Sequence, residues 1–349
     1  MTGHEKYIQR CIQLGQNGLG RTYPNPMVGA VVVVDDQIIG EGWHQKAGEP
    51  HAEVHAINAV KDKRLLKKAV IYVSLEPCSH YGKTPPCSNL IIDSGIKKVV
   101  IGTVDPFSEV AGKGIQKLMT AGCEVIVGVL EEKCRELNKR FFTFHTKKRP
   151  YIILKWAQSS DGFLSPEPEE DAKRRPVWIT NRYSKQLVHK WRAEEQAILV
   201  GTNTAVVDNP RLNTRLWKGN DPVRLVLDRQ LRIPQDSHLF DDSIKTVVLT
   251  EEQPAGRGSK NVIFESLHFE QPLAPQICDI LFKHELQSVI VEGGRQMLKT
   301  FLDAGLWDEA HVFTGDISFK NGIKAPEFSG NFIEEKEVLS DTLRIYRND

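Results

Sequence analysis

Residues 69–87 read AVIYVSLEPCSHYGKTPPC, and residues 51–56 read HAEVHA. The first stretch opens on a continuous β-branched run, 69–75, the pattern of a strand buried on both faces. Cys78 lies just past that strand. Cys87 follows Pro85-Pro86 and opens CSNLIIDSG (87–95), a short helix closed by Gly95. His51 and Glu53 stand at the start of an Ala-rich helix over 52–60. Around this nucleus the spacing predicts a helix over 5–16 and strands over 27–34 and 37–43 about a tight Asp35-Asp36 turn. A strand over 97–103, a helix over 114–122 and a strand over 123–128 follow. A hairpin succeeded by strand–helix alternation predicts an α/β fold, a mixed sheet with helices on its faces.

The chain has 349 residues, long for one domain. The boundary falls at Lys147-Lys148-Arg149-Pro150, a basic run read as a solvated linker, so the expected domains are 1–147 and 150–349. The second half repeats the alternation. Strands are expected over 151–157, 197–202, 223–228, 245–250 and 288–294, and helices over 184–195 and 296–306. A polar insert, 165–176, interrupts the pattern.

Charge and cysteine usage exclude several classes. Lys and Arg number 46 against 45 Asp and Glu, so no global field draws nucleic acid or an anionic membrane. The opening residues carry charges throughout and no apolar stretch of a secretory signal, and no segment reaches the length of a membrane span. Six irregularly spaced cysteines point to a reducing cytoplasm, which argues against a Cys78–Cys87 disulfide.

His51, Cys78 and Cys87 instead offer the borderline and soft donors that zinc takes, with one of four tetrahedral positions left for water. A helix N-terminus at Cys87 favours its thiolate. Glu53, two residues after His51, need not share the metal and can instead face the bound water and move protons. The pattern H-x-E with P-C-x-x-C marks zinc deaminases of nucleobases, but eight residues, not two, separate the cysteines here. Ala52, not Glu, follows His51, which argues against a zincin helix. A structural zinc site with His55 or His80 as fourth ligand, and plain packed thiols, stay open as alternatives. Cys11, Cys123, Cys134 and Cys278 have no partner pattern.

HAEVHA and LEPCSHYGKTPPC, with TYPNPMVGAVVV and GEGWHQKAGEPHAE upstream, resemble the deaminase half of the bifunctional riboflavin-biosynthesis deaminase/reductase family. In that family the long intercysteine loop is normal. The resemblance implies a cytidine-deaminase-like three-layer domain, zinc at His51, Cys78 and Cys87, and Glu53 as proton shuttle. It implies substrate contacts from Asn25, His44, Lys83 and Asp105, the substrate being a diaminopyrimidinone with a ribosylamino 5′-phosphate. One departure is Phe107, where the family usually continues Asp-Pro with Asn.

In the second half no GxGxxG follows a strand, so a Rossmann fingerprint is missing. Gly293-Gly294 lies between a strand and a helix, where backbone N–H groups can approach a phosphate, and AILVGTNTAVVDNPRLNTR (197–215) places Gly201, Thr202 and Thr204 after another strand. These stretches resemble the reductase half of the same family, which is related in fold to dihydrofolate reductase. That implies NADPH near Trp178, Thr204, Asp208, Gly293 and Gly294, and substrate near Arg192, Leu212, Arg215 and Glu292. Lys155, by its strand-end position, is read as polarising the opened sugar or as a snorkelling lysine. The resemblance also implies a homodimer. A second reading is a zinc deaminase joined to a nucleotide-binding domain that does not reduce. A third is a zinc-stabilised nucleotide or RNA binder without catalysis, which the balanced charge disfavours.

Overall fold

In the first of two units, Met1–Lys148, every residue of strand β1 (Gly29–Val34) is buried. Its side chains alternate between two apolar clusters: Ala30, Val32 and Val34 enter one, Val31 and Val33 the other. β2 (Gln37–Trp43) pairs antiparallel with β1 across Asp35-Asp36, whose φ values of 45° and 61° are those of a two-residue type I′ hairpin. β3 (Val70–Leu75) pairs antiparallel on the other side of β1, and β4 (Lys98–Thr103) and β5 (Glu124–Val127) extend the sheet in parallel. The computed structural model describes residues 3–79, 85–107, 111–167, 177–252, 254, 256 and 258–348.

Helices of this unit are α1 (Gly3–Gly15), α2 (Ala52–Ala59), α3 (Cys87–Asp93), α4 (Lys113–Thr120), α5 (Glu131–Leu137) and α6 (Lys139–Lys147). Ala52, Ala56 and Ile57 of α2, Ile91 of α3 and Leu118 of α4 pack on Val32, Ile71, Val73, Val99 and Ile101. Tyr7, Ile8, Cys11 and Ile12 of α1, with Cys134 and Leu137 of α5, pack on Val31, Val33, Tyr72 and Val100 across the sheet. The result is the expected three layers, helix, sheet, helix. Glycine brings α2 close: a Cβ on Gly40 would sit 2.3 Å from the Ala56 carbonyl oxygen, and one on Gly42 2.3 Å from Cβ of His55.

The second unit, Arg149–Asp349, is built on a nine-stranded sheet. Its strands are β6 (Tyr151–Gln158), β8 (Ala197–Gly201), β9 (Val223–Leu227), β10 (Thr246–Thr250), β11 (Val262–Ser266), β12 (Ser288–Glu292), β13 (Glu309–Thr314), β15 (Asn331–Val338) and β16 (Asp341–Arg347). A separate small ribbon joins β7 (Phe163–Pro166) to β14 (Gly322–Lys324). In the order β11-β10-β9-β8-β12-β6-β13-β16-β15, the seven strands through β13 run parallel, and β16 and β15 close the edge antiparallel. Helices α7 (Arg182–Glu194), α8 (Thr202–Asp208), α9 (Leu273–Lys283) and α10 (Arg295–Asp303) connect them. Ile277, Leu281, Leu298 and Phe301 of α9 and α10 cover one face through Leu154, Leu199 and Val291. Val188 of α7 and Phe313 meet on the opposite face.

Predicted strands and helices are found with ends shifted by up to a few residues. The structure adds α5, α6, α8, α9, β7, β11 and β13–β16, which the sequence reading did not assign.

Candidate active sites

His51 occupies the N-cap position of α2 (φ −75°, ψ 170°), yet its side chain caps nothing. The ring turns instead to two sulfurs: Nδ1 lies 3.6 Å from Sγ of Cys78 and 3.4 Å from Sγ of Cys87. Cys78 follows β3, and Cys87 is the first residue of α3. The ligand atoms of the three residues lie within 4.8 Å of one another. A tetrahedral zinc with Zn–N of about 2.0 Å and Zn–S of about 2.3 Å places N and S about 3.5 Å apart, so the donor set fits zinc. His55 is not part of this cluster, and its Nε2 is buried without a partner. His80 and Lys83 lie outside the described residues.

The helix terminus acts on a different sulfur from the one expected. The first N–H of α3, that of Cys87, donates to Sγ of Cys78 at 3.3 Å. The hydrogen bond from the Cys87 thiol, then burial opposing it, then His51, hold Cys78 below an ordinary thiol. Cys87 is pushed up, first by that same bond to Cys78 and then by burial. Glu53 is 3% exposed, in the first turn of α2. Burial is the main cause that raises its carboxyl to about 7, with the Cys78 charge adding and His51 opposing. A carboxyl poised near neutrality suits proton transfer in both directions.

His44 and Asn25 join this centre. The His44 ring stands edge-on to His51, centroids 5.2 Å apart. Its Nδ1 faces the Pro50 carbonyl oxygen at 3.2 Å and its Nε2 faces Nδ2 of Asn25 at 3.1 Å. A carbonyl can only accept, so Nδ1 carries the proton and Asn25 donates to Nε2. Burial lowers the His44 pKa, which keeps the ring neutral. Asp105 is buried, and its Oδ1 accepts the Phe107 N–H at 2.8 Å. The Phe107 ring packs on His145 of α6, centroids 5.1 Å apart. The aromatic departure thus belongs to the domain's own packing. Glu76, not singled out by the sequence reading, is 4% exposed and accepts N–H groups of Asp105, Gly112, Gly114 and Ile115.

In the second unit, Glu292, Lys155 and His311 stand side by side in register on β12, β6 and β13. Glu292 pairs with Arg192 of α7 at 2.9 Å and with Lys155 at 3.7 Å. Burial would raise the Glu292 carboxyl, but Arg192 and then Lys155 outweigh it and hold it at about 2. Burial lowers Lys155. Arg192 also donates to the Asn213 carbonyl oxygen at 3.3 Å, and Arg215 donates to Oδ1 of Asn213 at 3.1 Å. Arg192, Arg215, Lys155 and Glu292 are therefore brought to one place, at the carboxyl ends of parallel strands, where α/β sheets bind ligands. His189 was not foreseen. It accepts the Arg215 N–H at 3.3 Å, and burial, then the two arginines, press it to about 4. Leu212 is 2% exposed with φ 50°, its side chain in the apolar cluster of Ile198 and Val226.

Gly293 and Gly294 lead into α10, with Gly294 as N-cap. A Cβ on Gly293 would lie 2.9 Å from Cβ of Met297, and one on Gly294 would find only Oγ1 of Thr204, 4.0 Å away. The turn is thus packed against its own helix beneath and open above, beside the start of α8. The N–H groups of a first helical turn have no partner within the helix, so this cradle fits the phosphates of a dinucleotide. Asp208 ends α8 and is exposed. Trp178 is exposed, with Nζ of Lys185 3.6 Å over its ring.

Known proteins match both units. Residues 1–103 match the family described as "Cytidine and deoxycytidylate deaminase zinc-binding region", and residues 150–317 match "RibD C-terminal domain". A riboflavin biosynthesis protein RibD of Aquifex aeolicus is 40% identical over 95% of this chain and 92% of its own length. The Escherichia coli protein of that name is 34% identical over 88% of this chain and 86% of its own. A crystal structure from Thermotoga maritima, described as a diaminohydroxyphosphoribosylaminopyrimidine deaminase/5-amino-6-(5-phosphoribosylamino)uracil reductase, superposes with a TM-score of 0.88 at 37% identity, covering 99% of this chain and 98% of that one. Among the described residues no helix is long and apolar enough to cross a membrane. With both halves matched in one order and over nearly the full length of each relative, the chain belongs to the RibD family of riboflavin biosynthesis proteins.

Proposed function

We propose that the chain catalyses two successive steps of riboflavin biosynthesis. The first unit hydrolytically deaminates 2,5-diamino-6-ribosylamino-4(3H)-pyrimidinone 5′-phosphate, and the second reduces the ribosylamino group to ribitylamino with NADPH. The observation that carries this reading is the buried Glu53 carboxyl beside the His51, Cys78 and Cys87 donors, in a chain whose second unit holds a separate charged site. A deaminase with a non-reducing second domain is not favoured, because both halves match the bifunctional Thermotoga protein.

His51, Cys78 and Cys87 would hold zinc, which when bound supplies an acidified water as nucleophile. Glu53 takes one proton of the attacking water and gives it to the ring nitrogen, then moves the second, from the newly added hydroxyl, to the amine, which leaves as ammonia. Asn25, the neutral His44 and Asp105 orient the pyrimidine and its sugar. In the second unit Thr204, Asp208, Gly293, Gly294 and Trp178 would hold NADPH, which when bound supplies a hydride to C1′ of the sugar. Lys155 polarises the opened sugar, Glu292 orients both Lys155 and Arg192, and Arg192 and Arg215 receive the substrate phosphate, for which guanidinium geometry is suited. Leu212 contributes through its backbone. The working form is a cytoplasmic homodimer, the cytoplasm being in line with six cysteines that form no disulfide among the described residues.

Product masses test the order of the steps. Without NADPH the reaction stops at the deaminated ribosylamino compound, and with NADPH it proceeds to the ribitylamino product. Reduced product that retains the 2-amino group, or no product in either condition, rules the reading out.

A further inference from the structure

Glu76 carries no part of the mechanism above, yet its surroundings are specific. It sits between the last residue of β3 and Pro77-Cys78, and its own N–H bonds the Thr103 carbonyl oxygen at the end of β4 at 3.0 Å. Its Oε2 accepts the N–H groups of Asp105 at 3.3 Å and Gly112 at 3.0 Å. Its Oε1 accepts those of Gly114 at 2.9 Å and Ile115 at 3.3 Å, in the first turn of α4. Gly112, the N-cap of α4, has no side chain to cap the helix, so Glu76 caps it from outside. The approach is close: a Cβ on Gly114 would lie 2.1 Å from the Pro77 carbonyl oxygen. A buried carboxylate with four N–H donors is fully satisfied, and removal of one oxygen acceptor leaves buried donors unpaired.

We infer that Glu76 is a positioning residue of the deaminase centre, locking Asp105 to the turn that carries Cys78. The backbone of Asp105 is fixed by Glu76 and its carboxylate by the Phe107 N–H at 2.8 Å. Its placement relative to His51 and Cys78 is then set through the Glu76 carboxylate. The inference rests on the reading of Asp105 as a substrate contact. It accounts for a buried charged residue just past the end of a buried strand.

The test uses the full chain, with reductase activity on the deaminated intermediate as an internal control of folding. In Glu76→Gln one oxygen acceptor becomes an amide N–H donor. Deaminase KM is expected to rise roughly tenfold or more while kcat falls by about twofold at most, with zinc content and reductase activity unchanged. Glu76→Asp, which keeps both oxygens on a shorter arm, is expected to lie between Gln and wild type and serves where Glu76→Gln does not accumulate. In an Asp105→Ala background, either change is expected to add less than about twofold to KM, because the group it positions is gone. Equal KM effects with and without Asp105, or loss of zinc and kcat at unchanged KM, overturn the positioning role. An Asp105→Ala chain with wild-type KM overturns the reading of Asp105 itself, whatever Glu76 does.

Discussion

Nδ1 of His51 stands 3.4 Å from the sulfur of Cys87, although the two residues enter from different helices. One stands at the N-cap position of α2 and the other begins α3, and both helices lie on the same face of the sheet. Replacing Cys87 by Ser removes a soft donor from this pair. Zinc content, measured by atomic absorption, is expected to fall from about one per chain to a small fraction. Ammonia release should vanish while reductase activity on the deaminated intermediate persists. Full zinc occupancy in Cys87→Ser would contradict the assignment.

Glu53 is assigned to proton transfer and not to ligation. Glu53→Gln should therefore retain zinc and lose ammonia release by about 10²–10⁴-fold, the usual worth of a general acid–base group. Near wild-type release in this variant would remove Glu53 from the mechanism.

The close seat of α2 on β2 gives a stability prediction. Gly42→Ala puts a Cβ 2.3 Å from that of His55, so the helix must shift. We expect destabilisation of about 1–3 kcal/mol together with reduced deaminase turnover, since His51 and Glu53 ride on that helix. An unchanged melting temperature and unchanged turnover would show that α2 tolerates the shift.

Glu292 supplies a pH-dependent term. Its folded carboxyl, at about 2, lies below the unfolded value of about 4.3. Its contribution, on the order of 3 kcal/mol, is therefore complete above about pH 4.3 and lost as pH falls toward 2. Glu292→Gln should be destabilised at neutral pH, and the gap to wild type should close on acidification. Five of the six tryptophans lie beyond residue 148, so denaturation followed by indole fluorescence reads this unit. A gap that stays constant down to pH 2 would exclude the linkage.

The metal centre was legible because its residues sit in two short stretches, and the strand 69–75 and the starts of two helices fix where they point. The sheet of the first unit was legible for the same reason: β1, β3 and β4 are buried runs with sharp turns. The edge of the second sheet was not. β15 reads NFIEEKEV and is half to fully exposed along its length, so no alternation marks it. β13 pairs with strands far off in sequence, and only that pairing sets His311 beside Lys155. Glu76 was hidden because its partners are backbone N–H groups of residues 105–115, which carry no side-chain signal. The first N–H of α3 goes to the sulfur of Cys78, a contact the sequence does not show, since a helix N–H bonds what lies in front of it.

The central claim is that one chain performs both reactions in order. The most direct measurement counts ammonia released against NADPH consumed in a single preparation given the diaminopyrimidinone ribosyl phosphate. Equal amounts are predicted with NADPH present, and ammonia alone when it is withheld. Ammonia release with NADPH present but unconsumed, or NADPH oxidation without ammonia, would contradict it.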